Sequence, residues 1–481
     1  MSEKPHDCCA SGAPKPARAY DLAVIGAGSA GFSAAIAAAE LGASVALVGD
    51  GTIGGTCVNV GCVPSKTLIR AAEALHHARR APRFAGIRAD AELADWTATI
   101  AQKDDLVAAL RQAKYLDLLP AYPAIAYVEG RARLADGGVA VNGDLIKAPK
   151  AIVATGASPA LPPLPGLESV PCLTSDTALA LEHPPQSLLV IGGGYVGLEL
   201  AQLFARAGVA VAVVDVLPIL AAAEPEVSKA LAGYLRDEGI AIRENARPLR
   251  VRASAAGVAL DIATDGGAET LEAERVLAAT GRLPNSGGLG LEEMGVALLA
   301  NGGVKVDDRM RTTRPGVYAA GDVTGRDQFV YMAAYGARIA ALNALNGDNR
   351  RYDSAAMPWV VFTDPQVAGV GLGEDEARRQ GIDVKTSVLP LEQVPRALAA
   401  RDTRGLVKLV ADRATDRLLG AHILAPEGAD AIQTAALAVK HGMTAADLAD
   451  TIFPYLTTVE ALKLAAQAFA KDVAKLSCCA G

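Results

Sequence analysis

The sequence predicts an α/β protein: two Rossmann-like dinucleotide-binding domains followed by a C-terminal α+β domain. Three observations predict it. A glycine fingerprint stands between two apolar strands near the N-terminus, the same pattern returns at Gly192, and each copy is followed by an Ala-Thr-Gly strand end. With 481 residues the chain has room for about three domains of ordinary size.

The first strand, Leu22–Ile25, runs into Gly26, Gly28 and Gly31 and then into an alanine-rich helix reaching about Leu41. A second strand over Ser44–Val48 follows. In this order the glycines permit a tight turn and close backbone approach, while the helix N-terminus faces a pyrophosphate. The second copy has a strand over Ser187–Ile191, then Gly192, Gly194 and Gly197, a helix over Leu198–Ala207 and a strand over Val209–Val214. The strand ends are Ala154-Thr155-Gly156 and Ala279-Thr280-Gly281. One fingerprint alone is weak, since glycine turns that bind nothing also occur; two in full context are stronger.

Gly316–Asp322 reads as a strand ending in Gly321-Asp322, an ordinary strand-to-turn signal by itself. Beside the two fingerprints it offers Asp322 to the ribityl or phosphate region of a flavin, so the first domain is expected to resume after the second. Asp215 ends the second strand of the second copy, where a carboxylate holds a ribose 2′-hydroxyl. The residues after it, Val216, Leu217, Pro218 and Ile219, supply no cation for a 2′-phosphate, which favours NADH over NADPH. In the first copy Gly49 stands in the acid's place and Asp50 comes one residue later.

The segment GGTCVNVGCVPSK, residues 54–66, carries Cys57 and Cys62. A helix beginning here would set its positive end beside the pair and lower thiolate pKa. A buried structural thiol pair or half of a zinc site is the alternative, but no His/Cys segment at zinc spacing follows. The segment resembles the active-site helix of the flavin disulfide oxidoreductases, the family of glutathione reductase, dihydrolipoamide dehydrogenase and mercuric reductase. The resemblance runs over residues 20–481 and includes MPWVVFTDPQV, residues 357–367, where a dimerisation domain would begin.

That resemblance implies FAD and NAD(P)H as cofactors and a homodimer with active sites at the subunit interface. Cys62 becomes the thiolate beside the flavin and Cys57 the sulfur that exchanges with substrate. Lys66 lies near the flavin and pairs with Glu199, and Tyr195 covers the nicotinamide pocket, moving aside when the cofactor docks. Thr56, Thr155, Gly156 and Gly281 join the fingerprint glycines, Lys66, Asp215 and Asp322 as cofactor contacts. The family itself favours NADPH, against the indication of Asp215. The implied domains are a disordered tail over 1–19, an FAD-binding domain from 20–155 and 285–349, an NAD(P)H-binding domain over 156–284 and a dimerisation domain over 350–481.

In the disulfide-reducing members the partner subunit supplies a His-Pro-Thr-x-x-Glu segment whose histidine is the acid/base. The equivalent stretch here is TIFPYLTTVE, residues 451–460. Phe453 replaces the histidine, Tyr455 the threonine and Thr458 the glutamate, with Glu460 two residues too far along. Phenylalanine carries no proton, so disulfide reduction loses its acid. FPYLT and the terminal LSCCAG resemble the C-terminal region of mercuric reductases. Adjacent cysteines have Cα atoms ~3.8 Å apart, below the usual disulfide span of roughly 4.4–6.8 Å, so Cys478 and Cys479 make a poor cross-link. Their soft thiolates suit a soft cation such as Hg(II).

The resemblance then implies that Cys478 and Cys479 take Hg(II) from Hg(II)–thiol complexes and pass it to Cys57 and Cys62 of the other subunit for reduction to Hg(0). Tyr455 and Tyr195 would offer oxygen contacts. Two alternatives stand: a dihydrolipoamide-dehydrogenase-like, NADH-dependent disulfide reductase, and a thiol trap that only sequesters soft metals.

A net charge of −7 leaves no electrostatic footprint for nucleic acid or anionic membrane. The opening MSEKPHD has no signal-like apolar segment, and the alanine-rich run over 30–39 is too short to span a bilayer. A soluble cytoplasmic protein without membrane insertion is expected, where paired cysteines are more often redox or metal-binding than structural. The metal-binding module with a Gly-Met-Thr-Cys-x-x-Cys motif, carried by fuller mercuric reductases, is expected to be lacking. Cys8 and Cys9 form either a minimal collecting arm or an inert tail. Cys172 reads as a packing residue, and His76, His77, His183, His422 and His441 as surface or satisfied histidines.

Overall fold

A strand that is apolar without interruption reads as buried on both faces of a parallel sheet, and both fingerprints begin on one. The structure, a computed structural model, describes residues 19–475. The chain divides into two compact units. The first is made of the chain up to Cys57, Leu110–Ser158 and Leu283–Tyr352, and the second of Val58–Ala109, Pro159–Arg282 and the chain from Asp353.

In the first unit a five-stranded parallel sheet runs in the order Val317–Ala319, Ala151–Val153, Leu22–Ile25, Val45–Gly49, Ile125–Glu129. The central strand is buried at all four residues, with Val24 flanked by Leu47 and Ile152. Helix α1 (Ser29–Glu40) joins the first two strands. Its small side chains let it lie close against the helix Val330–Leu345, where Ser33 Oγ donates to the Ala334 carbonyl at 2.8 Å. A core of Val48, Val139, Val153, Leu291, Val304 and Val323 fills the other face.

In the second unit α2 (Cys62–Arg79) packs against α3 (Tyr195–Arg206). Helix α3 begins three residues before the expected Leu198, because Gly194 is already its N-cap in extended backbone. Its parallel sheet runs Ala241–Arg243, Ala210–Val214, Ser187–Ile191, Arg275–Ala278, Cys172–Leu173. Beneath α3 the rings of Trp96 and Phe204 lie 5.9 Å apart, and Trp96 Nε1 donates to the Leu181 carbonyl.

The second unit also holds an antiparallel sheet in the order Pro358–Val361, Gln366–Gly371, Leu418–Ala425, Leu406–Asp412, Val384–Pro390. Helices α4 (Gly428–His441) and α5 (Glu460–Gln467) share a hydrophobic core with it.

Two ion clusters lie inside this unit. Asp364 accepts from Arg206, Arg404 and His77. Burial alone would raise its pKa, but the His77 hydrogen bond and the Arg404 and Arg206 guanidiniums hold it well below the carboxylate range. Lys408, 2% exposed, meets Glu224, Glu226 and Glu374 at 2.6–2.9 Å.

Two histidines differ from the surface or satisfied state expected of the sequence. His76 falls one helical turn after buried Ala72, on the inner face of α2, so its Nε2 is buried without a hydrogen-bond partner. His422 stands on the almost wholly buried strand Leu418–Ala425, and its Nδ1 likewise has none. Among the described residues no helix is long and apolar enough to cross a membrane.

Candidate active site

The two glycine loops separate what the protein's own packing requires from what a ligand requires. Gly26 has φ +116°, and a Cβ there would stand 2.2 Å from the Ala154 carbonyl oxygen; at Gly31 it would meet the Gly26 oxygen at 1.7 Å. The second loop repeats this, with Gly192 at 2.4 Å from the Ala279 oxygen and Gly197 at 1.9 Å from the Gly192 oxygen. The middle glycines are different. Gly28 and Gly194 are extended with negative φ, allowed to any residue. A Cβ at Gly28 would meet Gly55 Cα at an ordinary 3.4 Å, and one at Gly194 would meet nothing within 4 Å. Nothing inside the protein demands glycine there, but close approach of a pyrophosphate does. Each is the N-cap of a twelve-residue helix and makes no side-chain cap, leaving the first N–H groups to an anion. Both sites therefore fit a dinucleotide.

Thr155 and Asn285 clasp each other: Thr155 Oγ1 donates to the Asn285 carbonyl at 2.7 Å and Asn285 Nδ2 to the Thr155 carbonyl at 3.0 Å. Asn285 N also donates to the Gly156 carbonyl. Asp322 follows Gly321, where a Cβ would press on Ala30 of α1 at 3.1 Å, so its half-buried side chain starts near the head of that helix. Thr56 is exposed. The missing acid at Gly49 has a steric cause, since a Cβ would stand 2.7 Å from Tyr127 Oη and 2.8 Å from Ala27 Cβ. Asp50 turns instead to Arg131 at 3.2 Å. In the second loop Asp215 accepts from Gly193 N at 2.6 Å and Leu217 N at 2.9 Å, so it also braces the turn. Gly281, with φ +106°, has open space around its Cβ direction.

Cys62 is the first residue of α2, after Gly61, at the positive end of an eighteen-residue helix. Cys57 sits on a separate five-residue helix, Gly55–Asn59, so this helix end serves Cys62. Both cysteines are half-buried. Lys66 lies one turn along α2 from Cys62, and its Nζ is 2.6 Å from Glu199 Oε2 of α3. The same ammonium lies 4.8 Å from the centre of the Phe362 ring, whose backbone N donates to Glu199 Oε1 at 2.9 Å. Tyr195 stands one turn before Glu199, stacked on Trp359, and burial pushes its phenol pKa up to about 12.

Phe453 is half-buried against the core between sheet and helices, while Tyr455 is 48% exposed. Thr458 Oγ1 donates to Glu427 Oε2 at 2.5 Å, and Glu427 also accepts from Arg396 at 3.0 Å. Glu460 accepts from Leu456 N at 3.2 Å, within its own turn. Cys478 and Cys479, like Cys8 and Cys9, lie outside the described residues. Among the described residues no group of three or more His, Cys, Asp or Glu could hold a metal.

Lys66, Glu199 and Tyr195 thus converge, as do each glycine loop and its strand end. Phe362, Trp359, Asn285 and Glu427 were not legible as site residues. The first two stand within MPWVVFTDPQV, but nothing in their spacing signals a ring beneath Lys66 or against Tyr195.

The pyridine nucleotide-disulphide oxidoreductase family matches residues 20–341, and its dimerisation domain matches residues 357–466. A mercuric reductase from Streptomyces lividans is 48% identical over 468 residues, covering 96% of this chain and 98% of its own. One from Lysinibacillus sphaericus is 46% identical, covering 96% of this chain and 85% of its own. The copper(II) complex of the HOCl-induced flavoprotein disulfide reductase RclA from Escherichia coli is 30% identical with a TM-score of 0.83, covering 94% of this chain and all of that one. The chain belongs to the pyridine nucleotide-disulphide oxidoreductase family, and within it to the mercuric reductase group.

Proposed function

We propose that the protein is a mercury(II) reductase serving mercury detoxification: Hg²⁺ + NAD(P)H → Hg⁰ + NAD(P)⁺ + H⁺. The observation that carries this is the set of mercuric reductases 42–48% identical across nearly the whole chain. Phe453 supports it against disulfide reduction, because the place of the proton carrier holds a hydrocarbon ring packed on the core.

Bound FAD supplies the two-electron relay between nicotinamide and the cysteine pair. Gly26, Gly28, Gly31, Thr56, Lys66, Thr155, Gly156 and Asp322 would hold it, on a domain made of 20–155 and 285–349. Gly192, Gly194, Gly197, Asp215 and Gly281 would hold the nicotinamide nucleotide on 156–284, with Asp215 selecting NADH. Cys57 and Cys62 bind Hg(II) as thiolates, the helix end favouring the charged form of Cys62. Lys66 and Glu199 fix α2 against α3 beneath Tyr195, and Tyr455 offers an exposed phenol oxygen to the arriving metal. Cys478 and Cys479 collect Hg(II) from carrier thiols and hand it to Cys57 and Cys62 of the partner subunit, so the working unit is a cytoplasmic homodimer joined through residues 350–481.

The test uses FAD-loaded protein with NADH or NADPH, excess small thiol and Hg(II). Mercury-dependent cofactor oxidation with release of mercury vapour is expected. Turnover of lipoamide or glutathione disulfide with inhibition by Hg(II) would instead assign a disulfide reductase, and binding without cofactor oxidation a trap. The double variant Cys478→Ala/Cys479→Ala is expected to lose turnover mainly at high carrier-thiol concentration. Unchanged turnover there removes the collecting role.

A further inference from the structure

The ring of Tyr195 rests on that of Trp359, with centroids 5.5 Å apart and planes 16° from parallel. The sheet is shaped to admit the indole. Trp359 pairs with Gly369 on the neighbouring strand, where a Cβ would stand 2.4 Å from indole Cζ2 and 2.5 Å from Cε2. Any larger residue at 369 would drive the indole out of this place. His422, opposite Gly369 on the next strand, has its ring 6.4 Å from the indole.

Three residues beyond Trp359, the Phe362 N–H is bound to Glu199. The strand is therefore fastened to α3 at Tyr195 and at Glu199, which lie one turn apart on the same helix face. Tyr195 comes directly after Gly194, beside the open space of the second glycine loop.

We propose that Trp359 is the resting platform of Tyr195 and a positioning residue that sets the affinity for the nicotinamide half of the cofactor. This rests on the reading of Tyr195 as the ring over the nicotinamide pocket. When Tyr195 moves aside it leaves the stack, and an aromatic pair of this kind weights an equilibrium by roughly 2- to 10-fold. A ligand that needs the unstacked state binds more weakly by the same factor. The adenosine half, held by the glycine loop and Asp215, does not depend on the stack. Trp359 thus loosens the hold on a complete dinucleotide while leaving its ADP-ribose portion alone.

The test is calorimetric titration of oxidised, FAD-loaded protein with NAD⁺, NADP⁺ and ADP-ribose. Trp359→Ala is expected to bind the preferred dinucleotide about 2- to 10-fold more tightly, with ADP-ribose unchanged and Trp359→Phe in between. In a Tyr195→Ala background the gain from Trp359→Ala should vanish. Equal or weaker dinucleotide binding by Trp359→Ala overturns the proposal. So does a parallel change for ADP-ribose, which would make Trp359 general packing. If Tyr195→Ala binds the dinucleotide exactly as the wild type does, the reading of Tyr195 fails, and the proposal falls with it.

Discussion

Glu199 meets the Lys66 ammonium through one carboxylate oxygen at 2.6 Å and the Phe362 N–H through the other at 2.9 Å. The carboxylate is 6% exposed and the lysine side chain 33%. Removing the cation therefore strands a buried charge. Breaking a fully buried pair costs about 3–5 kcal/mol, and the partial exposure of Lys66 reduces this to about 1–3 kcal/mol. Lys66→Met should lose that much stability in denaturant unfolding, and Glu199→Gln less, because an amide oxygen still accepts from Phe362. Equal losses would show that stranding the carboxylate costs nothing beyond the loss of the ion pair.

The glycine loops predict a contrast between stability and binding. At Gly192 a Cβ would stand 2.4 Å from the Ala279 oxygen in a backbone of φ +111°. Gly192→Ala should destabilise the fold by about 1–3 kcal/mol through strain and overlap. At Gly194 there is open space and an ordinary φ. Gly194→Val should leave the melting temperature nearly unchanged yet weaken ADP-ribose binding at least about tenfold, since its branched side chain occupies the ground the pyrophosphate needs. Intact ADP-ribose binding in Gly194→Val would dismiss that loop as the nucleotide site.

How far the sequence discloses this site depends on how local each feature is. The strand Leu22–Ile25, the strand Ser187–Ile191 and the fingerprint glycines were legible because turn geometry and apolar runs are written into consecutive residues. The sequence pattern sets the start of α3 too late, since Tyr195 and Val196 after three glycines look like loop. The pairing of Lys66 with Glu199, 133 positions apart, follows from family resemblance and not from spacing. The Thr155–Asn285 clasp and the Trp359 stack leave no local signal, because each joins segments that only tertiary folding brings together. His76 misleads for a related reason: its polarity hides its place one turn beyond the buried Ala72 of α2.

Asp215 braces its loop, and under the proposed function it would also select the nucleotide. Its carboxylate accepts from Gly193 N and Leu217 N, and no cation follows it before Ile219. Asp215→Asn keeps an oxygen acceptor but removes the charge that repels a 2′-phosphate. The ratio of kcat/KM for NADH over NADPH should fall about tenfold, roughly 1.4 kcal/mol of discrimination. Both efficiencies should decline as the loop loosens. A wild-type preference for NADPH would contradict the role given to Asp215.

His76 makes stability depend on pH in a direction that its surroundings fix. Burial, then the Arg206 charge, lower its pKa from 6.5 to about 4, against the opposing pull of Glu238 and Asp364. Between those values the unfolded chain takes up a proton that the folded protein refuses, so stability falls as the pH drops from about 6.5 toward 4. His77 acts oppositely: its hydrogen bond to Asp364 raises its pKa, and its contribution is lost as pH rises through the folded value. Retaining His77 in both proteins cancels that effect. His76→Phe keeps a ring of similar shape and cannot protonate. Between pH 7 and pH 5 the wild type should lose about 1–2 kcal/mol more stability than His76→Phe, measured by urea unfolding at each pH. Parallel pH profiles would show that His76 takes up its proton as readily in the folded protein as in the unfolded chain.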